Sequence, residues 1–344
     1  MNLEQLVRPN IRAMKAYSSA RDEYKPTDEV TLLDANENPY TTDYNRYPDP
    51  YQNLLKYKIG KLKKVGNESI FLGNGSDEAI DLIMRIFCEP IIDNIIIPDP
   101  TYGMYEVAAA IQNVTVKRVP LSENFALNID DFLATIDSRT KIIFVCNPNN
   151  PTGNLFDSNS LQKLINSFQG IVVIDEAYID FANSDSFINR IDEFKNLIVL
   201  QTFSKAWGLA GIRLGMAFSN PEIIQLFNKV KAPYNLSSVT QSLVSNLIDN
   251  NKDRVSTEIE QLIKDRQIMI LELEKLHIID KIYQSETNFI LVKFKDHQKV
   301  YNQLKINKLI VRDRSSALNC NGCLRITIGT PSENKKVLKV LESL

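Results

Sequence analysis

The chain has 344 residues, 44% of them hydrophobic and 24% charged, which is ordinary for a globular protein and long enough for two domains with separate cores. Its formal net charge is −2 with no long Lys/Arg run, so it carries no electrostatic footprint for nucleic acid or an anionic membrane, and the expected partner is a small molecule. Four cysteines (Cys88, Cys146, Cys320, Cys323) are too few for a disulfide framework, and two histidines without ligand spacing argue against a metal at Cys320-Asn321-Gly322-Cys323 and against a Ser-His-Asp enzyme.

Residues 1–20 mix Glu4, Arg8, Arg12 and Lys15 with apolar positions and lack the continuous apolar stretch of a signal peptide or membrane span, so a cytoplasmic protein is expected. Residues 1–28 read as an N-terminal arm that could reach a neighbouring subunit. From 29 to 245, apolar runs at 95–97, 142–146, 171–174 and 197–200 each stop at a polar, glycine- or proline-rich loop. Between them lie helical spacings such as Ile80, Ile83, Ile86 and Phe87, or Leu161, Leu164 and Phe168. That alternation predicts an α/β large domain, a mostly parallel central sheet with helices on both faces. The loops leave the carboxyl ends of the strands, so their polar residues should converge on one sheet edge. From 246 to 344 the pattern becomes that of a smaller α+β domain. A long helical stretch through Val255, Ile259, Leu262, Ile263, Ile270 and Leu273 is followed by candidate strands at 289–294, 309–312 and 324–328. Two such domains are expected to pack around a cleft.

Four strand-end motifs carry chemistry. Gly73-Asn74-Gly75-Ser76-Asp77-Glu78 opens a helix, with Ser76 or Asp77 as the natural N-cap, and suits phosphate because glycines let backbone N–H groups approach an anion. The third glycine of a dinucleotide fingerprint is replaced by Glu78, so that reading fails. Asp175 ends an apolar strand, and a carboxylate there needs a positive or protonated partner such as a heterocyclic N–H. Asn150, in Asn150-Pro151-Thr152-Gly153, and Tyr178 are placed to donate to a ring oxygen. Lys205 lies on the loop leaving the 197–200 run, among Thr202, Ser204, small residues and Arg213. Burial and a cationic neighbour lower a lysine's pKa and suit it to Schiff-base chemistry. Taken singly, each motif also fits a plain role: a capped helix, a loop hydrogen bond, a solvated surface lysine.

Together, Gly73 to Glu78, Asn149-Asn150-Pro151-Thr152-Gly153, Asp175-Glu176-Ala177-Tyr178 and Thr202-Phe203-Ser204-Lys205 with Arg213 resemble the fold-type I, pyridoxal-phosphate-dependent aminotransferases in order and spacing. The resemblance implies pyridoxal 5′-phosphate as cofactor. It makes Lys205 the lysine that bonds the cofactor, Asp175 the partner of the pyridine nitrogen, and Tyr178 and Asn150 the partners of the ring hydroxyl. Ser76, Asp77, Thr202, Ser204 and Arg213 would hold the cofactor phosphate.

Finer features, namely Asn45-Arg46-Tyr47-Pro48, Pro100-Thr101-Tyr102-Gly103-Met104-Tyr105, Ala232-Pro233-Tyr234-Asn235 and Cys323-Leu324-Arg325-Ile326-Thr327-Ile328-Gly329-Thr330, resemble the histidinol-phosphate aminotransferases over nearly the whole chain. That likeness implies that Tyr102 stacks on the cofactor ring and that Tyr47 reaches the cofactor phosphate of the other subunit in a homodimer. Arg312 and Arg325 would face the cleft and take the substrate phosphate or a glutamate carboxylate, with Tyr17 a further substrate contact. The plain alternative for the arginines is an ion pair with Asp313 or Glu333. The implied reaction exchanges an amino group between L-histidinol phosphate and 2-oxoglutarate in histidine biosynthesis. Rival readings on the same fold are a threonine-phosphate decarboxylase, an aromatic amino acid aminotransferase and a non-catalytic ligand-sensing module.

Overall fold

The computed structural model describes residues 3–17 and 31–344, so residues 18–28 of the expected arm and its junction at 28/29 lie outside the described residues. Seven strands form the larger sheet: β1 (Ile70–Asn74), β2 (Asn94–Asp99), β3 (Thr115–Pro120), β4 (Thr140–Cys146), β5 (Ile171–Asp175), β6 (Leu197–Thr202) and β7 (Leu214–Phe218), in the order β1-β7-β6-β5-β4-β2-β3. The neighbours among β2 to β6 run parallel, while β7 is antiparallel to both β1 and β6. The four apolar runs of the sequence are the central strands. Edge strand β3 is half-exposed, and β1 and β7 contain Gly73 and Gly215, which blur the apolar signal.

The central strands are apolar throughout because both faces are covered. Side chains alternate across a strand, so Ile142 and Phe144 join one core with Ile80, Ile83 and Phe227. Ile143 and Val145 join the opposite core with Leu55, Leu161 and Leu164. Helices α3 (Asn53–Lys63), α6 (Ile129–Thr135) and α7 (Ser158–Ser167) supply the second face, and α4 (Ser76–Phe87), α5 (Met104–Ile111) and α8 (Pro221–Val230) the first. Truncating a ring such as that of Phe144, which is fully buried, to alanine would cost about 3–5 kcal/mol. The N-terminal helices α1 (Leu3–Leu6) and α2 (Pro9–Ala13) lie on the chain's own first core, where Val7 and Ile11 join Ile86 and Phe87 and Arg8 N donates to Ile86 O at 3.0 Å.

The second sheet has the order β10-β11-β9-β8 and is antiparallel: β8 (Ile279–Ile282), β9 (Phe289–Phe294), β10 (Arg312–Asp313) and β11 (Cys323–Thr327). The strand expected at 309–312 shrinks to Arg312–Asp313. Lys308 adopts φ 61° after helix α10 (His297–Ile306), and Leu309 N returns to Leu304 O at 2.9 Å, so the start of that run closes the helix instead of pairing. Ile290, Val292, Phe294, Leu324 and Ile326 face a third core with α10 and α11 (Pro331–Glu342), whereas Phe289, Leu291 and Cys323 face the large domain. The point 245/246 falls inside one 36-residue helix, α9 (Ser238–Leu273). Its Val244 and Ile248 pack in the large domain and its Met269 and Leu273 in the small one, so a shared helix joins the two bodies. No described helix is long and apolar enough to cross a membrane.

Candidate active site

The carboxyl ends of β1, β2, β4, β5 and β6 and the amino end of antiparallel β7 meet at one edge of the large sheet, where open parallel sheets bind ligands. Ten residues expected at the site line a single cleft there: Ser76, Asp77, Tyr102, Asn150, Asp175, Tyr178, Thr202, Ser204, Lys205 and Arg213.

At one end of the cleft, α4 begins without a side-chain cap. Its N-cap is Gly75, at φ 79°, and not Ser76 or Asp77, which fall in the first turn. Glycine is needed twice here: a Cβ on Gly75 would come within 2.6 Å of Arg213 Nη2, and one on Gly215 within 2.0 Å of Ser76 N. β7 therefore lies hard against the helix start and leaves first-turn N–H groups, with the positive end of the helix dipole, for an anion. The Arg213 guanidinium lies across Gly75 with Nη2 3.6 Å from Asp77 Oδ2. Thr202 Oγ1 accepts from Ser204 N at 3.1 Å and donates to Leu214 O at 3.2 Å, which fixes the turn leading to Lys205.

At the other end Asp175 is 2% exposed, and burial pushes its carboxyl up to about 6. Its ionised form is supported by the hydroxyl of Tyr105, donating to Oδ2 at 2.8 Å, and by Ala177 N, donating to Oδ1 at 3.1 Å. Both are neutral donors, so the carboxylate keeps its appetite for a cationic N–H. Tyr102 donates to Asp77 Oδ1 at 3.0 Å and sets its ring edge-on to Tyr105 with centroids 5.6 Å apart. Asn150 Nδ2 donates to the Tyr178 hydroxyl at 3.4 Å, and burial drives that phenol above its usual range, so it keeps its proton.

The Lys205 ammonium lies 5.7 Å from the Tyr178 ring centroid. Burial first, and then the Arg325 charge, lowers its pKa, while Asp77 and Asp175 pull the other way. Arg325 enters from β11: its guanidinium donates to Asn150 Oδ1 and lies 5.1 Å from the Phe289 ring centroid. Arg312 is paired directly opposite Arg325. Neither arginine forms the ion pair considered from the sequence, because Asp313 holds Ser315 N at 2.8 Å and Glu333 caps Thr330 N at 2.8 Å.

Neither Tyr47 nor Tyr17 lines this cleft in its own chain. Tyr47 stacks on Tyr234 with centroids 4.4 Å apart, and Tyr17 borders a separate depression with Pro50, Tyr51 and Lys229. Two residues beyond the expected set belong beside the site. Tyr105 holds Asp175, and its only signal in the sequence was its place three residues after Tyr102. Arg314 lies two residues from Arg312, and strand alternation alone puts both on one face.

The donor set fits pyridoxal phosphate: an uncapped helix start with hydroxyls and Arg213 for the phosphate, a buried carboxylate short of a cationic partner for the ring nitrogen, and an amide and phenol pair for the ring hydroxyl. Among known proteins, the family described as aminotransferase class I and II matches residues 20–341. The chain is 49% identical over 343 residues to the histidinol-phosphate aminotransferase of Parabacteroides distasonis, covering 100% of this chain and 99% of that one. The crystal structure of the histidinol-phosphate aminotransferase from Clostridium acetobutylicum superposes with a TM-score of 0.80 at 25% identity, covering 88% of this chain and 91% of that one. The Sinorhizobium meliloti histidinol-phosphate aminotransferase, crystallised with pyridoxal-5′-phosphate, shares the fold with a TM-score of 0.78 at 22% identity, over 88% of this chain and 83% of that one.

Proposed function

We infer the chemistry of the cleft from the family to which the chain belongs, the class I and II aminotransferases, and within it from its full-length kinship with the histidinol-phosphate aminotransferases. The protein is a pyridoxal-phosphate-dependent transaminase of histidine biosynthesis, moving an amino group from L-histidinol phosphate to 2-oxoglutarate to give imidazole-acetol phosphate and glutamate. The observation that carries the substrate reading is the placement of Arg325. It is joined to Asn150 inside the cleft, and its charge helps lower the pKa of Lys205, so an anion held there would set its amino group beside the reactive amine.

Bound pyridoxal phosphate supplies an electron sink that makes the substrate's α-hydrogen removable. We assign the remaining work to the chain. Ser76, Asp77, Thr202, Ser204 and Arg213 would hold the cofactor phosphate, Tyr102 would cover the ring, and Asn150 and Tyr178 would donate to its hydroxyl. Asp175 would hold a proton on the ring nitrogen, a role suited to a buried carboxylate whose other donors are neutral. Lys205 Nζ would anchor the cofactor and, when freed, take the α-proton from the substrate and return it one atom away, helped by the lowered pKa that leaves the amine unprotonated more of the time. Arg312 and Arg325 would fork onto the phosphate of one substrate and the distal carboxylate of the other.

We further propose a cytoplasmic homodimer. Tyr40, Tyr44, Tyr47, Tyr51 and Tyr57 are all exposed, an aromatic surface of the kind that a second copy would cover. In that assembly Tyr47 and Tyr17 would reach the neighbouring cleft. The four cysteines are buried thiols, suited to a reducing compartment.

A screen of amino donors tests the reaction. L-Histidinol phosphate with 2-oxoglutarate should be turned over with a kcat/KM well above that of phenylalanine or tyrosine. Turnover of phenylalanine with none of histidinol phosphate would overturn the substrate.

A further inference from the structure

The hairpin of β10 and β11 carries a third arginine that the reaction described above does not yet use. Arg312 pairs with Arg325 and Asp313 with Leu324, and Arg314 N continues the ladder to Cys323 O at 2.9 Å. Residues directly opposite on an antiparallel pair share a face, and alternate residues along a strand do too. Arg312, Arg314, Arg325 and Cys323 therefore lie on one face, the one turned to the large domain, while Leu324 faces the small-domain core. Asp313 is on the other side, holding Ser315 N and Oγ at 2.8 and 2.6 Å.

The three arginines share that face, and among the described residues none of them has an acidic partner within salt-bridge distance. Arg314 is half-buried, and its Nε is enclosed with no hydrogen-bond partner among the described residues. Burial first, then Arg325 and Arg312, depresses its guanidinium, and the Tyr178 phenol is close enough to act on it as well. A fold pays for such a cluster in repulsion and desolvation and gains nothing from it unless an anion is brought there.

We propose that Arg314 is a specificity-determining residue, a third ligand for the phosphate group of the amino donor. The proposal rests on the phosphorylated-amine reading of this cleft and deepens it. The two anions that must share the site differ in charge and shape. A carboxylate has one charge and two oxygens, which the Arg312 and Arg325 pair can satisfy. A phosphate monoester near neutral pH carries close to two charges on three non-bridging oxygens, and these leave an acceptor and a charge for Arg314. Arg314 thus favours the phosphorylated donor while leaving glutamate little affected, and one cationic pocket serves both half-reactions with unequal strength.

The test compares wild-type, R314Q and R314K holoenzymes with L-histidinol phosphate, L-histidinol and L-glutamate as amino donors, alongside their melting temperatures. In R314Q the KM for histidinol phosphate should rise about tenfold or more, the loss of one charge-assisted hydrogen bond, and R314K should recover part of it. The KM for glutamate should change by less than about threefold, and the preference for histidinol phosphate over histidinol should narrow. The melting temperature should stay level or rise, since a repelling charge has been removed. An unchanged KM for histidinol phosphate, an equal rise for glutamate, or a lower melting temperature with both constants impaired would overturn the proposal, the last by making Arg314 structural. A wild-type enzyme that uses glutamate but not histidinol phosphate would overturn the substrate reading and this proposal with it, a failure visible before any variant is made.

Discussion

The hydroxyl of Tyr105 donates to Oδ2 of Asp175 at 2.8 Å, across a sequence separation of 70 residues and between two buried side chains. Burial is what raises the Asp175 carboxyl to about 6, and this hydrogen bond is the largest influence opposing it. Tyr105 is accordingly a positioning residue for whatever Asp175 holds.

Tyr105→Phe removes that donor, so the Asp175 pKa rises further and the carboxylate is lost at a higher pH. The acid limb of the kcat/KM profile should move upward by about one pH unit, equivalent to a hydrogen bond of about 1.5 kcal/mol to a charged group. Activity should approach the wild-type value on the alkaline side. A profile that falls equally at every pH would contradict the role given to Tyr105.

Lys205→Ala should lower turnover by about a thousandfold or more, the range for losing a positioned proton carrier together with covalent attachment. The visible absorbance of the bound cofactor should change with it. Lys205→Arg keeps the charge but cannot supply a free amine, and should be no better. Normal rates in either variant would sink the assignment.

Gly215→Ala tests the cradle at the helix start. A Cβ there would stand 2.0 Å from Ser76 N and 2.2 Å from Gly75 C, both backbone atoms that cannot swing aside. The strand and α4 must part, at a cost of about 2 kcal/mol or more, and the first-turn N–H groups move with them. Denaturant titration should show the destabilisation, and titration of the apoenzyme with pyridoxal phosphate should show affinity about tenfold or more weaker. Affinity equal to wild type would mean that the helix start does not hold the phosphate.

Glu176 offers a prediction about stability against pH. It is buried at 1% exposure, bonded to Phe187 N at 2.7 Å and Gln201 Nε2 at 2.9 Å, and burial pushes its carboxyl up to about 7. A raised carboxyl favours the protonated form in the folded state, so its contribution is full below the ordinary value of 4.5 and is lost as the pH climbs through about 7. Glu176→Gln stays neutral throughout and also offers an N–H near the unpartnered Oε1 of Gln201. The variant should exceed wild type by up to about 3 kcal/mol at pH 8, with the gap closing toward about pH 5. Denaturant melts that show no gain at the higher pH would refute this.

Much of this protein was legible in the sequence because its chemistry sits where the chain changes character. Asn150, Asp175 and Lys205 each follow a short, continuously apolar run that its length and flanking polar, glycine- or proline-rich loop mark as a buried strand, and parallel topology sends every such run toward one edge. What composition and spacing left open was settled by how separate segments seat against one another. Gly75 caps α4, with Ser76 and Asp77 inside its first turn, because Gly215 lets β7 close to backbone contact there. The short strand at Arg312–Asp313 follows from the left-handed turn at Lys308, and its register decides that Arg314 shares a face with Arg312 and Arg325. The bond from Tyr105 to Asp175 depends on where α5 lies on the sheet. Local pattern specifies which residues stand at strand ends and which faces are apolar, since both follow from the period of the backbone. Hydrogen bonds and charge clusters between distant segments depend on relative placement and register, where a slip of one residue turns every side chain to the opposite face, and only the assembled fold fixes that.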